Sequence, residues 1–493
     1  MPEKPNLLII LSDQQRRDSL GCYGNPVIRT PNLDRLAAEG VVCDQAFVAN
    51  MVCAPSRASI WTGRYPRAHG VVSNGVALSK DEITIASALL EAGYRTASCG
   101  ALHLSPSSDT PENDTPESRH FHASGQPFPS PYHGFETVRL VTGLGDKWGD
   151  YHQYLIDQDP DLPALYKEDR ALTPPTGAPS SWKCGMPEEH HCTTWVADEA
   201  IKSMQSMAGQ DAPFLLSVGF LDPHFPFAPP APWCDMYDPA NVVMPNRSDD
   251  EMPEKSLCYQ MKLDRFVDAW PWHPTEMPEA HIREIIAHYY GMVSMVDYNV
   301  GRILAGLDEL GLSDNTIVLY STDHGEHLGD HWLIYKCMPY DECTHVPMIW
   351  RCPEQFATGS RIDGLVSHID IMPTMLELAG VPVPHGVQGQ SYATGLQSGE
   401  FAGRPYILCE DDNLAYGPNV EGQARTLRTP QYRLTYFLPG DDGELYDLEK
   451  DPNEFYNRWD DPEYAPVRNE LIQQLLGAVI AAADPKPRRV ASF

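Results

Sequence analysis

Residues 5–14 read Pro5-Asn6-Leu7-Leu8-Ile9-Ile10-Leu11-Ser12-Asp13-Gln14, five consecutive apolar residues followed at once by a hydroxyl, a carboxylate and an amide. A membrane span needs roughly 18 apolar residues and a signal-peptide core roughly 7–15, so this run is the first strand of a soluble protein. Comparable runs at 95–99, 214–218, 316–320 and 346–350 alternate with helical patterns over the first 380 or so residues. That alternation argues an α/β sheet flanked by helices. Thr30-Pro31 opens a helix with Leu33, Leu36 and Ala37 on one face and Gly40 as its stop. Further helices are predicted at 83–92 and 369–379, each closed by a glycine, and after Thr193/Thr194 through Ala200. The stretches 105–190 and 225–280, rich in Pro, Trp, His and Met without clear periodicity, read as long loops over one face. After about residue 385 short strands at 405–409, 426–427, 432–437 and 444–448 precede a last helix at 467–482. The expected division is therefore a catalytic domain, 1–385, and a smaller α+β domain, 386–493, with a four-stranded antiparallel sheet and a terminal helix.

Composition removes several classes of partner. The 493 residues carry 36 Lys+Arg against 68 Asp+Glu, a formal charge of −32. Such a surface repels nucleic-acid phosphates and anionic lipid headgroups, so neither nucleic acid nor membrane is expected as a partner. Twelve cysteines over this length show neither the density of a disulfide scaffold nor a close zinc-type pair, which points to a reducing cytoplasm. A small-molecule substrate follows, and a homo-oligomer stays open.

In an open α/β sheet, ligands bind beyond the carboxyl ends of the strands. Four strands deliver polar residues there: Asp13-Gln14, His103, Asp222-Pro223-His224, and Asp323-His324-Gly325. Asp13, Gln14, Asp323 and His324 offer oxygen and nitrogen donors suited to one divalent cation, Ca²⁺ first, with Mn²⁺ and Mg²⁺ as alternatives. The two pairs lie about 310 positions apart, so only folding unites them. Cys53-Ala54-Pro55-Ser56-Arg57 opens another helix, with Pro55 placing Cys53 at or next to its amino end, where free amides favour an anion.

Cys53-x-Pro55-Ser56-Arg57 with Thr62-Gly63-Arg64 closely resembles the signature of the type I sulfatases of the alkaline phosphatase superfamily. The resemblance extends to Asp13-Gln14, His69-Gly70, Gly93-Tyr94-Arg95-Thr96, Asp222-Pro223-His224, Asp323-His324-Gly325-Glu326, Leu328-Gly329-Asp330-His331, Lys336 and Glu444-Leu445-Tyr446-Asp447-Leu448. It implies a large mixed, mostly parallel sheet sandwiched by helices and a sulfuric ester hydrolase, releasing an alcohol and inorganic sulfate. It also implies that a maturase oxidises Cys53 to formylglycine (3-oxoalanine), a further contact of the cation. One hydroxyl of its hydrate attacks sulfur and the second drives sulfate release. In this scheme His103 is the base, His224 and Lys336 act near the leaving oxygen, and Arg57 holds the hydrate. Asn74 and His191 are expected as substrate contacts, Asn74 with a turn Asn-Gly as its alternative.

One position departs from the family. Gly100-Ala101-Leu102-His103 lacks the lysine that usually stands at 101. The segments Arg119-His120-Phe121-His122 and His190-His191 are candidates to replace its charge. Formylglycine-dependent phosphonate monoester and phosphodiester hydrolases also lack that lysine and form the alternative reading, and the charge-neutral cation set points the same way. A non-catalytic metal-bound scaffold is the third. His327 and His331 are read as turn caps, and Trp233, Trp270 and Trp272 as loop packing or a stacking rim. Arg425 and Arg428 are the residues through which the second domain would approach the cleft.

Overall fold

The computed structural model describes residues 4–107, 114–143, 149–269, 273–336, 338–415, 421–440 and 442–484. In chain order its strands are β1 (Asn6–Ser12), β2 (Val41–Cys43), β3 (Ala46–Phe47), β4 (Arg95–Gly100), β5 (Thr137–Leu140), β6 (Phe214–Gly219), β7 (Thr316–Thr322), β8 (Met348–Arg351), β9 (Ser360–Ile362), β10 (Val366–Ser367), β11 (Ile407–Ala415), β12 (Glu421–Arg428), β13 (Tyr432–Leu438) and β14 (Asp442–Asp447). Eight form one sheet in the order β5-β4-β6-β1-β7-β8-β2-β9, in which β8 runs antiparallel to both its neighbours. The remaining pairs are parallel. This is the large mixed, mostly parallel sheet of the alkaline phosphatase-like architecture.

The period of two in the strands sorts the core into layers. Leu8 and Ile10 of β1, with Leu216, Val218, Val318 and Tyr320, pack on the helices Pro31–Ala38, Cys192–Ala208 and Glu279–Glu309. Leu7, Ile9 and Leu11, with Leu215, Ile317 and Leu319, face the opposite way, onto Cys53–Thr62, Ile85–Glu91 and Ile371–Leu378. The four-stranded antiparallel sheet β11-β12-β13-β14 carries the helix Ala465–Ala481.

Two expectations are corrected. The stretches read as aperiodic loops contain β5, which extends the sheet at its edge, and the helices Asp150–Gln158 and Leu257–Ala269. These elements are short or flanked by 3₁₀ turns and prolines, which hides their period. The helix predicted after Thr193/Thr194 begins at Cys192, and the His191 ring caps it by accepting from Thr193 N at 3.3 Å. Trp270 and Trp272 lie outside the described residues. Trp233 packs on Tyr298 of the long helix, 5.6 Å between ring centroids.

β4, β6, β1 and β7, the strands whose carboxyl ends carry the polar residues, are consecutive in the sheet. Parallel pairing of β1 with β7 sets Ser12 opposite Thr322, so Asp13 and Asp323 leave the sheet side by side. Between β4 and β6 the backbones close in at Gly100 and Gly219. Gly100 has φ +101°, and a Cβ there would lie 2.0 Å from Gly219 O. Gly100→Ala is therefore expected to destabilise the fold by about 3 kcal/mol, through a backbone clash combined with an unfavourable φ, read as a lowered Tm.

Candidate active site

Helix Cys53–Thr62 is buried along its whole length, and Cys53 stands at its first turn. Its capping position, Val52, offers no side-chain oxygen; instead Asn74 Oδ1 accepts from Ala54 N at 3.0 Å. Asn74 thus caps this helix while also lining the cavity above it. The Cys53 sulfur, which marks where the oxygens of an oxidised side chain would begin, lies 3.2 Å from His324 Nε2, 3.8 Å from Asp13 Oδ1 and 2.8 Å from Lys336 Nζ.

Arg57, one turn later and 1% exposed, ties the strand ends together. Its Nε donates to Asp323 Oδ2 (2.7 Å), Nη2 to Asp13 Oδ2 (3.0 Å) and Nη1 to Ala101 O (2.9 Å). The second oxygen of Asp323 accepts from the backbone N–H groups of Gln14 and His324, at 3.1 and 2.9 Å. Burial and the charge of Asp323 push the Asp13 carboxyl up to about 6. Against the opposing effect of burial, the charges of Arg57 and Lys336 and the hydrogen bond from Gln14 N hold Asp323 well below the usual carboxylate range. Two buried carboxylates of this kind are jointly stabilised by a cation.

The other donors fit the same ion. His324 Nδ1 donates to Gly325 O at 2.9 Å, which leaves the Nε2 lone pair facing the carboxylates, the usual arrangement of a metal-binding histidine. Gln14 sits at φ +65°, its Nε2 donating to the buried Glu326 carboxylate, while its Oε1 is buried without a hydrogen-bond partner. That orphaned oxygen is what a cation would satisfy. Asp13, Cys53, Asp323 and His324 hold their ligand atoms within 4.8 Å of one another.

The cavity above has a volume of about 590 Å³. His103, Asn74, His224 and Ala101 face it near its foot, while Tyr166, Trp182 and Phe225 give it apolar walls. Burial lowers the pKa of both His103 and His224; Glu117 partly opposes this at His103, and the Lys336 charge reinforces it at His224. Glu117 was not singled out in the sequence. It accepts from the backbone N–H groups of His103, Leu104 and Ser105 and from Tyr132 Oη, at 2.8–3.1 Å, and so fixes His103 at φ +57°. Nothing in its sequence neighbourhood signals this, because its partners lie 12–15 residues away in a loop.

Other assignments move. His191 is not part of the cavity lining: it is buried, its Nδ1 3.7 Å from Asp222 Oδ2 and its ring packed against Tyr166, which does line the cavity. Its helix-capping role holds it in that position. Neither 119–122 nor 190–191 contributes to the wall; Lys167 does. Arg425 pairs with Asp412 and Arg428 with Asp341, away from the cavity. Neither His327 nor His331 caps the turn that follows as expected: His327 Nε2 accepts from Met338 N at 3.3 Å, and His331 Nδ1 lies 2.7 Å from Glu251 Oε2.

Residues 5–381 match the family described as Sulfatase, and 329–480 match that described as N-sulphoglucosamine sulphohydrolase, C-terminal. The chain belongs to the sulfatase family. It is accordingly a sulfuric ester hydrolase. An arylsulfatase of Clostridium perfringens is 30% identical over 503 residues, covering 96% of this chain and 95% of that protein. The multifunctional alkaline phosphatase superfamily protein PehA of Trinickia caryophylli is 28% identical, covering 98% and 96%. Among solved structures, the phosphonate monoester hydrolase of Agrobacterium radiobacter superposes with a TM-score of 0.83 at 26% identity, covering 98% of this chain and 96% of that one.

Because Arg57 serves three acceptors at once, a point charge cannot replace it. Arg57→Lys is expected to lower kcat/KM by about 100-fold, since a buried carboxylate loses its partner at a cost of about 3 kcal/mol. Steady-state kinetics with a parallel cation titration would check this.

Proposed function

We propose that the chain hydrolyses a small sulfate monoester with formylglycine derived from Cys53 and one divalent cation, Ca²⁺ by its oxygen-rich ligand set, held by Asp13, Gln14, Asp323 and His324. The observation that carries this reading is the convergence of His324 Nε2, Asp13 Oδ1 and Lys336 Nζ on Cys53 Sγ at a helix amino end. The oxidised side chain would supply hydroxyl nucleophiles, and the cation would acidify one of them.

The chain's own groups divide the proton transfers. His224 Nδ1 lies 2.6 Å from Phe225 O, which can only accept, so that nitrogen carries the hydrogen. With the ring kept neutral by burial, its Nε2 is an acceptor and orients a hydroxyl or the leaving oxygen's donor. Against its burial, the carboxylates of Asp13 and Asp323 hold Lys336 as an ammonium, and it is the group able to donate to the leaving oxygen. His103, neutral and locked by Glu117, is positioned as the base for the second half-reaction.

A second reading rests on Ala101. With an alanine in the cavity wall, and with a phosphonate monoester hydrolase among its structural neighbours, the site also suits a phosphonate monoester or phosphodiester. A formylglycine-generating maturase as partner and a cytoplasmic location, supported by the cysteine usage, belong to the same proposal. Among the described residues no helix is long and apolar enough to cross a membrane.

Protein co-expressed with a maturase should show the Cys53 peptide about 18 Da lighter by mass spectrometry, and Cys53→Ala should be inactive; full activity in that variant would overturn the reading. Parallel rates on aryl sulfate and aryl phosphonate esters decide between the two substrates. Lys336→Ala should slow alkyl esters about tenfold more than 4-nitrophenyl esters, whose leaving group needs no proton. Equal losses would move the donor role elsewhere.

A further inference from the structure

A second set of metal-type donors meets where the small sheet docks on the large one. It comprises His331 in the 3₁₀ turn Asp330–Trp332, Glu342 in the short helix Asp341–Thr344, and Glu454 in the turn after β14. His331 is fully buried at φ +53°, its ring stacked on Tyr340 with centroids 4.2 Å apart. Its Nδ1 lies 2.7 Å from Glu251 Oε2. Lys255 Nζ lies 3.4 Å from the same nitrogen but 3.2 Å from Glu251 Oε2, so the ammonium pairs with the carboxylate and the shorter Glu251 contact takes a hydrogen on Nδ1, while burial together with Lys255, Arg433 and Arg16 keeps the ring neutral. The hydrogen on Nδ1 therefore leaves Nε2 with a bare lone pair.

That lone pair has no hydrogen-bond partner and faces Glu342 Oε2 at 3.6 Å, an oxygen that is itself buried and without a partner. A lone pair aimed at a carboxylate oxygen in a water-poor interior is repulsive, and 3.6 Å is too long for a proton to bridge as a hydrogen bond. Glu454, 1% exposed, brings a third ligand atom within 4.8 Å of the other two. Ligands bonded to one ion at roughly 2.0–2.2 Å stand about 3–4 Å apart, which matches the separation of His331 from Glu342. A histidine whose far nitrogen donates to a carboxylate, here Glu251, is the arrangement that presents an imidazole to a metal.

We propose that His331, Glu342 and Glu454 form a second metal site, distinct from the one beside Cys53, for a divalent transition ion of the Zn²⁺ or Mn²⁺ class. One imidazole and two carboxylates are a borderline donor set, matched to those ions rather than to an all-oxygen Ca²⁺ cage. The ion clamps the second lobe to the loop that carries Asp323 and His324, because the Glu342 carbonyl accepts from Glu326 N at 3.1 Å and Cys343 O from Gly325 N at 2.9 Å. Its role is structural, since the cavity lining includes none of the three residues.

The test uses the full-length protein, stripped with chelator, reloaded with Zn²⁺ alone, freed of excess and assayed for metal by mass spectrometry. The decisive quantity is the equivalent that Glu342→Gln removes and Asp13→Asn keeps. Wild-type protein should hold that equivalent, and Glu342→Gln, with unchanged circular dichroism, should lack it. If Glu342→Gln misfolds, anomalous diffraction at the zinc edge from wild-type crystals replaces it, with a peak expected between His331 Nε2 and Glu342. The proposal is overturned if all bound Zn²⁺ disappears in Asp13→Asn, if Glu342→Gln keeps the wild-type stoichiometry, or if the anomalous map shows no peak there.

Discussion

The Arg57 guanidinium holds the site together in the most literal sense. It is almost wholly buried and spends its three nitrogens on the carboxylates that follow β1 and β7 and on the carbonyl that follows β4. In that position it does two jobs that pull in different directions. It cancels charge that two adjacent carboxylates would otherwise direct at each other, and it leaves each of them an oxygen turned toward the cation position. A buried guanidinium of this kind costs much in desolvation and is tolerated because each of its three nitrogens has a carboxylate or carbonyl partner. The helix that carries it also carries Cys53, so the position of that side chain is referenced to the same three strand ends.

The charge balance of the molecule is divided sharply between surface and site. The formal charge is −32, yet around the cavity foot the cationic and hydrogen-donating groups Arg57, Lys336 and the amide end of helix Cys53–Thr62 gather within one small volume. With alanine at 101, Lys336 stands as the ammonium in contact with Cys53, while Lys167 lies in the cavity wall but exposed to solvent. A site with one ammonium fewer at its foot would lean harder on a bound cation for holding an anion.

Much of this was legible because the sequence signals were local. Asp13, Gln14, Asp323 and His324 each follow an uninterrupted apolar strand, and parallel pairing makes their meeting a matter of register. What escaped reading depends on contacts that no local pattern encodes. Glu117 works only because a loop folds back over it. His191 resembled a substrate ligand by composition, but the helix start at Cys192 converts it to a cap. The His331, Glu342 and Glu454 set draws on three short turns, and the β5 edge strand and the helix Leu257–Ala269 are bordered by segments whose conformation tertiary packing imposes.

The sheet order also has a consequence for biosynthesis. β1 is made first yet lies in the middle of the sheet, and its partners β6 and β7 begin at residues 214 and 316. Until β6 is made the nascent chain therefore carries an apolar strand with both hydrogen-bonding edges open, and one edge stays open until β7 follows, the condition under which strands pair with the wrong neighbour. Native pairing here is of high contact order and correspondingly slow. Chaperone supply and translation rate, more than final stability, should then set the yield of soluble protein.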